Sequence, residues 1–186
     1  MILNNPLVRG IIKEMVFEIQ IEPVAIKNFG QFYAFAQDFI LNHYLDYPPK
    51  LRKKYLELEF DPKIIKKRIK KGEDLILIAW VKEKVVGFLV NSFESGGCAH
   101  LQWFGVDKNY RNSGIGSRLL KEMEKKIIEK KYHFVILWTE SQSNIEYYKK
   151  RGYDLVGLQK QSWFGQDEYL MQKNLCPPFL KELGVK

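Results

Sequence analysis

A chain of 186 residues, 46% hydrophobic and 14% aromatic, is long enough to bury one sizeable core and short for two. Lys and Arg outnumber Asp and Glu 30 to 22, a net charge of +8 that suits anionic ligands without choosing among them. Cys98 and Cys176 are too few for a disulfide framework and lack metal-ligand spacing. No stretch approaches the ~18 apolar residues of a membrane span, and no secretory signal pattern opens the chain, so one domain over residues 1–186, cytoplasmic and without a metal, is expected.

Residues 16–24, VFEIQIEPV, alternate apolar and polar side chains and predict a strand. From Ala25 to Tyr44 aromatic residues recur at mostly helical spacing until Tyr47-Pro48-Pro49 breaks the pattern, and a second helix is expected from Lys50 to Phe60. Asp61-Pro62 supplies an N-cap and an N1 proline for a third, with Ile64, Ile65 and Ile69 as its apolar stripe and Gly72 as its stop. The basic run Lys66, Lys67, Arg68, Lys70 and Lys71 interleaves with that stripe, so it reads as a solvated helix face rather than a nucleic-acid patch.

From Leu75 the period changes to that of a hairpin, LILIAWV and VVGFLVNSF around Glu83-Lys84. A strand follows from Cys98 to Val106. An amphipathic helix then runs from Ile115 to Lys130, with Leu119, Leu120, Met123, Ile127 and Ile128 on one side. His133 to Thr139 reads as a strand, Ile145 to Arg151 as a short helix stopped by Gly152, and 153–160 and 168–172 as two closing strands. The order predicts one mixed α/β layer structure.

Between the strand ending at Val106 and the helix beginning at Ile115 lies Asp107-Lys108-Asn109-Tyr110-Arg111-Asn112-Ser113-Gly114-Ile115-Gly116. Glycines at a helix start let backbone N–H groups converge on an anion, and the helix dipole and Arg111 add positive charge, so the turn can hold a pyrophosphate. It is not a dinucleotide fingerprint, since Leu119 stands where a third glycine belongs, nor a P-loop, since Gly116-Ser117-Arg118 lacks the lysine. Downstream, Tyr148-Lys149-Lys150-Arg151-Gly152-Tyr153 places a tyrosine four residues before a glycine.

These two segments resemble the signatures of the GNAT acetyltransferases: a strand followed by R/Q-x-x-G-x-G/A, and Y-x-x-x-G-[FY] closing a later helix. The resemblance covers roughly residues 73–173, leaving 1–15 and 176–186 as terminal extensions. It implies a central mixed β-sheet flanked by helices, with acetyl-CoA as acetyl donor to a small-molecule or protein amine.

Carried onto this chain, the resemblance gives the pyrophosphate to Arg111, Asn112, Ser113, Gly114, Ile115, Gly116 and Ser117. The pantetheine arm goes to the backbone of Phe104, Gly105 and Val106, Asn144 is a further cofactor contact, and Tyr148 is the acid that protonates the leaving thiolate. His100 is the best candidate for accepting the amine's proton, with Glu94, Glu140 and a water chain left open. The tip Trp163-Phe164-Gly165 reads either as acceptor-site surface or as a hairpin tip or homodimer contact. Two other function classes remain, a non-catalytic acyl-CoA-binding module and, less favoured, a basic nucleic-acid-binding domain. Neither a membrane nor a nucleic acid is the expected partner.

Overall fold

The computed structural model describes residues 18–43 and 47–180. The expected extension 1–15, the first two residues of the expected opening strand, the end of the expected first helix at Tyr44, and residues 181–186 of the expected tail lie outside the described residues.

Among the described residues twelve strands and α-helices follow one another. Strand β1 (Ile19–Pro23) leads to helices α1 (Phe29–Asn42), α2 (Pro49–Glu59) and α3 (Pro62–Lys71). Strands β2 (Asp74–Val81), β3 (Lys84–Phe93) and β4 (Cys98–Val106) precede α4 (Ile115–Glu129), β5 (Phe134–Thr139), α5 (Gln142–Lys149), β6 (Asp154–Gln159) and β7 (Glu168–Asn174). The strands form a seven-stranded sheet in the order β1-β2-β3-β4-β5-β7-β6. Only β4 and β5 pair in parallel, with α4 crossing between them.

The apolar run of β2 reads without alternation because both faces of the sheet are covered. Leu75, Leu77, Ala79 and Val81 pack in one core with Leu119, Leu120, Met123 and Ile127 of α4. Ile76 and Ile78 face a second core with Phe32, Ala36, Phe39 and Ile40 of α1. Each buried aliphatic side chain contributes about 1.5–3 kcal/mol by leaving water. Ile128, placed by the sequence on the inner side of α4, is 38% exposed, because it lies beyond the edge of the stripe that meets the sheet.

Two helix starts differ from expectation for local reasons. Helix α1 begins at Phe29 rather than Ala25 because the Asn28 side chain accepts from the Ala25 amide at 2.7 Å and closes a turn there. Helix α5 begins at Gln142 rather than Ile145 because the Ser141 hydroxyl caps it, accepting from the Asn144 amide at 3.3 Å. Helix α3 starts and stops as its sequence directs, with Asp61 accepting from Lys63 and Ile64 amides and Gly72 at φ 69°.

Candidate active site

The site is built around an irregularity in β4. Val90 of β3 pairs with Trp103 and Asn91 with Leu101, so Gln102 is an extra, unmatched residue, a β-bulge. Two residues apart on a regular strand, Leu101 and Trp103 would share a face. Here Leu101 packs in the core beneath α4, and Trp103 in the core beneath α1. On its other side β4 pairs with β5 only from Cys98–Phe134 to Leu101–Leu137, where the ladder stops. The backbone from Gln102 to Val106 that faces away from β3 therefore lines a gap instead of a strand.

One cavity, of about 490 Å³, opens into this gap on the α4 side. Phe104, Gly105, Val106, Arg111, Asn112, Gly114, Ile115, Gly116, Ser117, Asn144 and Tyr148 all line it. Ser113 does not; its hydroxyl donates to the Tyr110 carbonyl instead. Asn112 (φ 62°) and Gly114 (φ 85°) adopt left-handed conformations, which turn the chain into α4 so that no capping side chain covers the helix's first amides. Besides the phenols of Tyr110, Tyr147 and Tyr148, the charged and titratable groups on this wall among the described residues are His43, Arg111 and Arg151, and no carboxylate lines it. An uncapped helix start with two guanidiniums fits a pyrophosphate.

The cavity wall also contains residues that the sequence did not single out. Arg151 donates to the Ser117 hydroxyl through Nε (3.2 Å) and Nη2 (2.9 Å) and to the Tyr147 carbonyl through Nη1 (2.6 Å), while its Cζ stands 3.4 Å from the Tyr147 ring centroid. It thereby ties the starts of α4 and α5's last turn together. The signal available in the sequence was its place four residues after Tyr147 and one before Gly152. Ser141 and Ser143 join Asn144 at the start of α5, and Phe39 and His43 approach from α1. Gly105 is glycine because a Cβ there would stand 2.6 Å from the Phe39 ring.

Tyr148 is 8% exposed, with its ring centroid 5.4 Å from that of Tyr147, 5.5 Å from Tyr153 and 6.5 Å from Phe104. Burial, reinforced by Tyr147 and Glu140, pushes its phenol well above the ordinary tyrosine range, so it stays protonated. The neighbouring Tyr147 hydroxyl is buried, and burial raises its phenol too, with Arg151 and the Ser117 side chain acting against the rise.

A second cavity, of about 560 Å³, opens on the opposite side of the sheet. It shares Leu101, Gln102, Trp103 and Trp138 with the first, so the two meet at the bulge. An aromatic series lines it: Tyr47 and Trp163 at 5.1 Å, Trp163 and Tyr55 at 5.1 Å, Tyr55 and Trp103 at 4.6 Å between centroids. Trp163 thus sits in this wall, packed from two sides.

His100 lines this second cavity and not the first, because the bulge separates its face from that of Phe104. Burial lowers its pKa below the ordinary 6.5 despite Glu94 and Glu168, so the imidazole is neutral at neutral pH. Of the other proton acceptors, Glu94 receives the Ser92 hydroxyl at 2.6 Å, and Ser92 in turn receives Gln102 at 3.2 Å. Glu140 accepts from the Tyr47 hydroxyl.

Among the described residues no group of three or more His, Cys, Asp or Glu side chains is arranged to hold a metal, and no helix is long and apolar enough to cross a membrane.

The family model for the acetyltransferase (GNAT) family matches residues 37–153. No curated protein sequence matches the chain. Among solved structures, PaiA N-acetyltransferase from Thermoplasma acidophilum in complex with coenzyme A superposes with a TM-score of 0.69 at 18% identity, over 84% of this chain and 99% of that one. A GNAT-family acetyltransferase from Staphylococcus aureus Mu50 gives 0.68 at 19% identity, over 85% and 99%. The ribosomal-protein-alanine N-acetyltransferase from Brucella melitensis gives 0.63 at 24% identity, over 83% and 99%. These likenesses establish the fold, and the family match extends over most of the chain, from α1 through the strand gap and the uncapped start of α4 to the end of α5. The chain belongs to the acetyltransferase (GNAT) family, enzymes that use acetyl-CoA.

Proposed function

We propose that the protein acetylates a primary amine, with acetyl-CoA entering from the α4 side and the amine from the opposite cavity. The observation that carries the reading is that the two cavities meet at Gln102, beside the unpaired backbone of β4. Acetyl-CoA supplies an acetyl thioester. Its pyrophosphate belongs on the turn from Arg111 to Ser117, with Arg151 and Asn144 beside it, and backbone N–H groups of Phe104 to Val106 are suited to polarise the acetyl oxygen.

An ammonium has no lone pair, so the amine must first lose a proton. His100, neutral and on the acceptor side, is the residue proposed to take it, directly or through water. The amine nitrogen then bonds to the acetyl carbon, and the carbon–sulfur bond breaks as Tyr148 gives its phenolic proton to the departing thiolate. The second proton shed by the nitrogen as it becomes an amide passes through water to restore the phenol, which leaves on His100 the net proton released to solvent. A cytoplasmic setting, where acetyl-CoA is at hand, fits this reading.

The test is to incubate the protein with isotopically labelled acetyl-CoA and a mixture of amines, measuring both released thiol and labelled products by mass spectrometry. Label on an amide nitrogen in step with thiol release is expected. Tight coenzyme A binding with no transfer, or label on a hydroxyl, would overturn the proposal.

A further inference from the structure

We infer that the second cavity selects an acceptor carrying a second positive charge, an aliphatic diamine or polyamine, and that Glu168 reads that charge. This rests on the acetyl-transfer reading above and names its substrate class.

The chain is basic overall, at +8, yet its charges are segregated between the two cavities. The donor side presents Arg111 and Arg151 and no carboxylate among the described residues. The acceptor side presents Glu59, Asp74, Glu140 and Glu168 and, among the described residues, one guanidinium, Arg68. That guanidinium is consumed by Asp74, which it grips at 2.8 and 2.7 Å. A chamber whose lining is richer in carboxylates than in cations attracts positive charge, even in a basic protein, and repels acceptors bearing a carboxylate, amino acids included.

Glu168 is buried, 7% exposed, and unlike Asp74, whose side chain is 4% exposed, it is not held by Arg68. It accepts from the Ser162 hydroxyl at 2.7 Å, the Tyr47 hydroxyl at 3.3 Å and the Trp163 amide at 3.4 Å, all neutral donors. Among the described residues no lysine or arginine pairs with it. A carboxylate taken out of water and held only by neutral groups is costly, and a bound ammonium relieves that cost. Tyr47, Trp163 and Tyr55 line the same chamber, and aromatic rings can attract a cation and cover methylene groups. Ile64 and Val90 extend the apolar wall. The chamber suits a short alkyl chain with an ammonium beyond the reacting nitrogen.

Three acceptors of near-equal length separate charge from shape: 1,4-diaminobutane, n-butylamine and 4-aminobutyrate, whose far ends are positive, neutral and negative. With saturating acetyl-CoA, kcat/KM is expected to fall at least tenfold at each step. Glu168→Gln keeps the shape and an acceptor oxygen, and is expected to shrink the diamine-to-butylamine ratio at least tenfold. Equal use of diamine and butylamine, an equal loss on all acceptors in Glu168→Gln, or preference for an alanine N-terminal peptide would each overturn the inference.

Calorimetry of the same three amines with coenzyme A present reads the preference without turnover. Tighter diamine binding without acetylation would reject the transfer reading and keep the inference, whereas equal affinities would reject the inference itself. Should Glu168→Gln fail to fold, the wild-type ratios decide, joined by Glu59→Gln at the exposed rim, for which a smaller drop in the same ratio is expected and none would count against a charge-reading chamber.

Discussion

The hydroxyl of Tyr147 occupies the space that a side chain at Gly116 would need: a Cβ there would stand 2.5 Å from Tyr147 Oη and 3.0 Å from Cζ of Phe104. Gly116 therefore serves the packing of α5 on α4 as well as the turn into α4, whereas Gly114, with open space around it, is glycine for its φ of 85°. Gly116→Ala is expected to destabilise the fold by about 1–3 kcal/mol through overpacking. Tyr147→Phe removes the offending oxygen, so the double variant should recover on the order of 1 kcal/mol. Urea unfolding of the four proteins measures this, and strictly additive energies would show that the two residues do not meet.

Arg151 spans the same junction. Replacing it with Met keeps length but removes the donors to Ser117 and the stacking on Tyr147. Loss of a positive group beside the start of α4 is expected to weaken coenzyme A binding on the order of 10- to 100-fold, from the ~1.5–3 kcal/mol range for hydrogen bonds to charged groups. The loss should shrink as salt is raised. Calorimetry at two ionic strengths tests it; unchanged affinity would make Arg151 a clamp only.

The backbone turn before α4 was legible in the sequence because its cause is local. Asn112 and Gly114 are residues that tolerate positive φ, and they stand directly before an amphipathic helix. Tyr148 was legible for the same reason, four residues before Gly152. The bulge at Gln102 was not, because neither glycine nor proline marks it and it exists only in the pairing with β3. Its consequence, that His100 and Phe104 look into different cavities, was hidden with it. The second cavity draws on residues from Tyr47 to Glu168, so no window of sequence contains it.

His100 carries a prediction about pH. Its folded pKa lies below 6.5, so a base at this position is already free at neutral pH and is lost only as pH falls further. Turnover at saturating amine is expected to be flat near pH 7 and to decline on the acid side of ~6.5, and His100→Gln should remove that limb while slowing turnover. The same shift has a stability consequence of matching sign. The unfolded imidazole takes up its proton at higher pH than the folded one, so stability is complete above ~6.5 and falls below it, less so in the variant. A pH–rate limb that persists in His100→Gln would pass the role to Glu94, Glu140 or water.

Tyr148 is the sharpest test of the mechanism, because its hydroxyl can be deleted almost without structural cost. The ring is packed on Phe104, Tyr147 and Tyr153, while the hydroxyl makes no hydrogen bond among the described residues, so Tyr148→Phe leaves the packing and orphans no partner. Unfolding midpoint and coenzyme A affinity should match the parent. Turnover should fall by ~10²-fold, in the lower range for acid catalysis, since a thiolate is already a tolerable leaving group. Because burial raises this phenol, activity should not decline through pH ~10, where an exposed tyrosine ionises. Tyr147→Phe, one residue away on the same helix, should keep parental turnover. Single-turnover kinetics isolate the chemical step, and full chemistry in Tyr148→Phe there would mean that the thiolate takes its proton from another group.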